Sequence, residues 1–278
     1  MTAGETSSSQ QGASQHGASQ HGASQHGPSQ HGPSQDDASA MEALYPFLYS
    51  STSDLPAVLE QVRASTVAKA AEITELRRLV SGREAGRLAA CARDTAAAFA
   101  AGGRLFAFGN GGSATDAQQL ATLFLNPGAG APALPAFCLA NDTSVVTALC
   151  NDIGVDVVFA RQLAAFGGKQ DIAVGLSTSG NSDNMLRAFD EASRRGMLTI
   201  GLAGYEGGKM AELDSIDYLF VAPSASVHRI QEAQTTIYQV LWELTVAEFA
   251  RSGPGLPGAA PAGPPGTGPV ADGREAAG

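Results

Sequence analysis

Residues 177–182 read Ser-Thr-Ser-Gly-Asn-Ser, a glycine among five small hydroxyl or amide side chains, with no charge. They stand between an apolar run, 171–177 (DIAVGLS), that predicts a strand and a run, 183–195 (DNMLRAFDEASRR), that predicts an amphipathic helix. A second stretch, 109–116 (GNGGSATD), has the same setting: it follows LFAF and opens a helix. Free N–H groups and the positive end of a helix attract an anion without any lysine, and hydroxyls add further donors. Glycine lets the backbone come close to a ligand, and Ser113 or Asp116 is expected to satisfy free helical amides. Hydrogen bonds to a charged group contribute roughly 1.5–3 kcal/mol each and a helix end roughly 0.3–2 more, so three or four contacts hold a phosphate monoester. Ser-rich turns of this kind also occur merely as caps; a second Gly-rich loop in register favours a phosphate cradle. Neither G-x-x-x-x-G-K-S/T nor G-x-G-x-x-G is present, so nucleotide-phosphate motifs are not supported.

The elements that must position these loops alternate. Strand-like runs fall at 105–109 (LFAFG), 134–140 (LPAFCLA), 171–177, 198–204 (LTIGLAG) and 217–223 (DYLFVAP). Helical runs fall between most of them, at 116–125, at 143–150 with 155–166, and at 183–195. Apolar spacing by three and four predicts two helices ahead of the strands, 55–80 and 84–100, and a closing helix over 228–250 that ends before Ser252-Gly253-Pro254. Strands that are apolar throughout, alternating with helices, predict a parallel sheet covered on both faces, an α/β three-layer sandwich. In such sheets ligands bind beyond the carboxyl ends of the strands, where both loops lie.

The chain has 278 residues and a formal net charge of −10, which argues against a broad footprint for nucleic acid or an anionic membrane. Residues 1–40 are poor in large apolar side chains and repeat ASQHG and PSQHG, placing His16, His21, His26 and His31 five apart, neither a helical face nor a structured zinc motif. Residues 252–278 are mostly Gly, Pro and Ala. Both ends read as disordered tails, leaving 41–251, about 210 residues, as one folded domain. Cys91, Cys138 and Cys150 lie in apolar surroundings without C-x-x-C spacing and read as buried reduced thiols. With no signal segment and no run of ~18 apolar residues, a soluble cytoplasmic protein is expected.

The combination GNGGS (109–113), NDTSVVTALCND (141–152), STSGNS (177–182), GGKM (207–210) and RIQE (229–232) closely resembles the sugar isomerase (SIS) domain, nearest to the phosphoheptose isomerase group, over about residues 55–250. The resemblance implies a five-stranded parallel sheet of flavodoxin-like type and a homotetramer with sites between subunits. It also implies a phosphorylated sugar as ligand, sedoheptulose 7-phosphate among the candidates. By motif match Ser177, Thr178, Ser179 and Ser182 hold phosphate, and Asn110, Gly111, Ser113, Asp142 and Gln231 line the sugar.

The chain departs from the family where proton transfer is done. The resemblance puts two histidines, a glutamate and a glutamine at positions that bind zinc in some members; here those positions hold Gln119, Gln239, Leu123 and Gln231. The acidic residue before RIQE is replaced by His228. Glutamine is neutral and leucine has no proton to exchange, so no catalytic residue, metal or cofactor is assigned. Gln118, Gln119, Gln231 and Gln239 then offer a neutral hydrogen-bonding cleft, or lie in part on the surface or in subunit contacts. Three readings stand open: a phosphosugar-binding module, an aldose–ketose isomerase with a rearranged acid–base set drawn from Asp116, Asp142, His228 or Glu232, and a regulatory protein acting through a partner, for which the initiator-associating protein of the same group is a precedent.

Overall fold

The runs Leu105–Gly109 and Ile172–Leu176 are buried at every position, as strands covered on both faces must be. In this computed structural model residues 55–128 and 130–252 are described; the assignment of 1–40, residues 41–54 and the chain beyond Ser252 lie outside them. Two units divide the chain after Gln61. Of the first, residues 55–61 are described and are helical; the sheet and the helices that cover it belong to the second, Val62 onward.

The elements run α1 (Leu55–Ala100), β1 (Leu105–Gly109), α2 (Gly112–Leu125), β2 (Ala136–Cys138), α3 (Thr143–Asp152), a 3-10 turn (Val155–Val157) and α4 (Val158–Phe166), then β3 (Ile172–Leu176), α5 (Asp183–Arg194), β4 (Leu198–Gly204), a second 3-10 turn (Gly208–Glu212), β5 (Tyr218–Ala222) and α6 (Val227–Ser252). Five parallel strands form one sheet in the order β2-β1-β3-β4-β5. Successive side chains point to opposite faces, which splits the core into two layers. Leu105, Ala107, Ile172, Val174 and Leu176 pack with residues of α1, α2 and α6; Phe106, Phe108 and Ala173 pack with α4 and α5. The sheet between two helical layers is the expected three-layer sandwich.

The region read as two helices, 55–80 and 84–100, is one helix of 46 residues. Ser81-Gly82 is a local break signal, but Gly82 and Gly86 keep negative φ, and an added Cβ at either would meet nothing within 4 Å. Each costs about 1 kcal/mol against alanine. The buried stripe Ile73, Leu76, Val80, Leu88, Cys91, Ala92 and Phe99 runs through the junction and offsets that cost. Among the described residues no helix is long and apolar enough to cross a membrane.

Candidate functional site

The strand order reverses beside β1, which has β2 on one side and β3 on the other. The crevice at such a switch point is where open α/β sheets place ligands. Gly109 pairs with Leu176 as the final rung of β1 and β3, so Asn110 and Ser177 leave the sheet as neighbours. The two loops singled out by their composition therefore stand side by side. A reciprocal pair of amide hydrogen bonds ties them: Asn110 Nδ2 donates to Asn184 Oδ1 and Asn184 Nδ2 to Asn110 Oδ1, both at 2.9 Å.

Within 177–182 the hydroxyls divide their work. Ser177 Oγ accepts from the Gly180 N–H at 3.0 Å and Ser179 Oγ from the Asn181 N–H at 3.3 Å, which bends the chain into a tight turn and leaves each O–H proton free to donate. Thr178 and Ser182 make no side-chain hydrogen bond among the described residues, and Ser182, the N-cap of α5, leaves its hydroxyl uncommitted. The N–H groups of Thr178, Ser179 and Ser182 are likewise unused among the described residues, and the first turn of α5 adds its own orphan amides. Gly180 holds φ +67, and Gly204 lies so close that an added Cβ would sit 2.5 Å from the Thr178 carbonyl oxygen. Behind the loop Gln234, fully buried on α6, donates to the Ser177 carbonyl at 3.1 Å while its Oε1 has no partner.

The first loop is set by glycine rather than by a side-chain cap. Gly111 is the N-cap of α2 at φ 54, without a capping hydrogen bond, so the expected capping by Ser113 or Asp116 is not found. Ser113 is buried, and its N–H donates to the Asn110 carbonyl at 3.0 Å. Gln231 of α6 lays its amide over Gly112, its Cδ 3.3 Å from where a Cβ would stand, bringing the RIQE stretch to the mouth of the first loop. Asp142 is exposed and caps α3, accepting from the Val145 N–H at 3.0 Å.

Residues 70–204 match the family model described as SIS domain. A phosphoheptose isomerase of Pelodictyon phaeoclathratiforme is 43% identical over 188 residues, which cover 66% of this chain and 87% of that protein. The chain belongs to the SIS-domain family, among proteins like phosphoheptose isomerase. A phosphoheptose isomerase of Nitratidesulfovibrio vulgaris is 42% identical over 187 residues, 67% of this chain and 89% of its own. The structure of a phosphoheptose isomerase from Neisseria gonorrhoeae superposes with a TM-score of 0.62 at 32% identity, covering 67% of this chain and 99% of that one.

In this SIS domain the positions that the resemblance assigns to zinc and to proton transfer lie on α2 and α6. Gln119 and Gln239 are exposed, Leu123 is half-buried against the core, and Gln231 stands over Gly112. Three carboxamides and an alkyl chain do not fit zinc, which takes thiolate, imidazole or carboxylate ligands. Among the described residues no group of three or more His, Cys, Asp or Glu side chains is arranged to hold a metal ion. Gln118 is exposed, as is His228, the second residue of α6. Glu232 pairs with Arg229 at 2.9 Å. Asp116 is half-buried on α2, its Oδ2 buried without a partner; burial raises its carboxyl above the ordinary value, and a hydrogen bond with Tyr238 opposes the shift.

Sequence reasoning missed Asn184 and Gln234. Asn184 stands 74 residues from its partner Asn110, beyond any local signal. Gln234 lies three residues beyond Gln231, a spacing that puts both on one side of a helix and so could have flagged it.

Proposed function

We propose that this protein binds a phosphorylated sugar at the β1–β3 switch point, with the monoester in the 177–182 turn and the sugar over 110–113, Asp142 and Gln231. The observation that carries this reading is the pairing of two donor-rich loops at adjacent strand ends, joined through Asn110 and Asn184. Sedoheptulose 7-phosphate is the first ligand to test, because the similar proteins are named phosphoheptose isomerases. Ser177, Thr178, Ser179 and Ser182 supply O–H donors, and the unused N–H groups complete a cradle for a dianion in a protein of net charge −10.

Binding rather than turnover is the function we assign. Isomerisation of an aldose to a ketose moves a proton between neighbouring carbons, and such groups contribute about 10²–10⁴ each to rate. Gln119, Leu123 and Gln239 move no proton. A second reading, an active isomerase, is favoured by the names of the relatives and by Asp116, a half-buried carboxylate on α2 with Oδ2 unpaired. A third, regulation through a protein partner, uses the same bound state. From the resemblance we also propose a homotetramer in the cytoplasm, its assembly checked by light scattering.

The test combines calorimetric titration of sedoheptulose 7-phosphate with NMR of the incubated mixture. Binding without new anomeric signals is the expected result; conversion that Asp116→Asn abolishes establishes the second reading instead. Ser179→Ala with Ser182→Ala removes two hydrogen bonds to a charged group and is expected to weaken binding by roughly 10²-fold or more. Full affinity in that double variant places the ligand elsewhere.

A further inference from the structure

The Gly207-Gly208-Lys209-Met210 stretch is docked against the 177–182 turn by the backbone. Gly207 and Gly208 hold φ +97 and +55, conformations that only glycine takes without strain. An added Cβ at Gly208 would lie 2.7 Å from Asn181 Oδ1, and one at Gly180 would lie 2.7 Å from the Gly207 carbonyl carbon. Across this close approach the Lys209 N–H donates to Asn181 Oδ1 at 2.9 Å and the Met210 N–H to the Gly180 carbonyl at 3.0 Å. Met210, 1% exposed, anchors the turn in the core. The Lys209 backbone is thus fixed relative to the turn, and only its side chain is free.

That side chain is 59% exposed and reaches the start of α5, where Nζ lies 3.7 Å from Asp183 Oδ1. Asp183 follows Ser182 directly and is the first residue of α5. An exposed ion pair of this kind contributes little on its own. A phosphate dianion carries more charge than the Asp183 carboxylate, and Asp183 is the residue next to Ser182 of the turn, so a lysine that reaches Asp183 stands beside the proposed site.

We propose that Lys209 captures the phosphate, exchanging Asp183 for the bound dianion, and that Asp183 is the competing anion that weakens capture. This rests on the reading of 177–182 as the phosphate site, and it adds a positive charge to a cradle otherwise made of neutral donors. It also gives the GGKM stretch a role: two glycines that allow contact, a methionine that anchors, and a lysine that reaches the ligand.

The test is isothermal titration with sedoheptulose 7-phosphate and separately with inorganic phosphate, at ~0.05 M and ~0.5 M NaCl, on the full chain. Lys209→Met is expected to weaken both ligands about tenfold at low salt, with the difference shrinking at high salt, and Lys209→Arg to keep most of the affinity. Asp183→Asn is expected to tighten both about threefold. Thermal melts of the variants that match the parent separate lost charge from lost fold. If Ser179→Ala with Ser182→Ala weakens binding while Lys209→Met and Asp183→Asn leave affinity and salt dependence unchanged, the turn holds phosphate and the role of Lys209 is overturned. If none of these changes alters affinity, or the parent binds neither ligand, the phosphate reading of the turn fails and this proposal with it.

Discussion

Replacing Gly180 by alanine puts a methyl group at the centre of the 177–182 turn. The residue holds φ +67, where an L side chain costs roughly 1–2 kcal/mol. The new Cβ would run into the Gly207 carbonyl group, its carbon 2.7 Å away. Relief requires the two loops to part, which stretches the Met210 N–H to Gly180 carbonyl bond of 3.0 Å, a contribution of about 0.5–1.5 kcal/mol. Together these give a loss of about 1.5–3.5 kcal/mol. For a domain of this size that lowers the melting temperature by roughly 3–14 °C. Urea unfolding and thermal melts followed by circular dichroism read the loss, and titration with inorganic phosphate reads the accompanying drop in affinity. Gly82→Ala is the control of opposite sign: an exposed helical glycine with open space around it, expected to gain about 0.5–1 kcal/mol. A Gly180→Ala protein that melts within ~1 °C of the parent and binds phosphate equally well would refute the account of the turn as a glycine-dependent contact.

Gln234→Met removes the donor to the Ser177 carbonyl while keeping the buried volume; a loss of about 1–3 kcal/mol in urea unfolding is expected, with weaker phosphate binding because the turn loses its rear support. The pKa of Asp116 is raised in the folded state, so its contribution to stability is fully present below the unfolded value, about 3.9, and is lost as pH rises through the higher folded value. Asp116→Asn should therefore gain stability relative to the parent as pH rises from 4 to 7 (~3 pH units), read by urea midpoints at each pH. The Cys91 thiol is fully buried, with burial pushing it up to about 12, whereas Cys138 and Cys150 are half-buried; thiol labelling of the native protein at mildly alkaline pH should modify Cys91 last, and only on unfolding. Rapid labelling of Cys91 in the native state would contradict the packing of α1 on the sheet.

Strands β1 and β4 are legible as largely apolar runs: they occupy 105–109 and 198–204, the spans their composition marks. The break expected at Ser81-Gly82 illustrates the limit of a local signal, since the buried positions on both sides of it, Val80 and Leu88, carry the helix through. The start of α2 misleads for a related reason: Ser113 and Asp116 have capping chemistry, yet positive φ at Gly111 turns the chain without them. The 177–182 turn is legible from composition, and its glycine from the need for a tight bend. What composition does not supply is the partnership of Asn110 with Asn184 and of the Gly180 region with Gly207 and Gly208, because those contacts exist only once β1, β3 and β4 are adjacent.

The absence of a side chain at Gly112 has a consequence for how this chain can diverge. The Gln231 amide occupies the space where a Cβ would project, so two codons separated by more than a hundred others answer to one small volume. A methyl group at the first position requires the Gln231 amide, the far end of a flexible side chain, to swing away from its place over the loop. Alanine at Gly112 is therefore expected to move Gln231 off the first loop, while a shorter residue at Gln231 alone leaves Gly112 undisturbed.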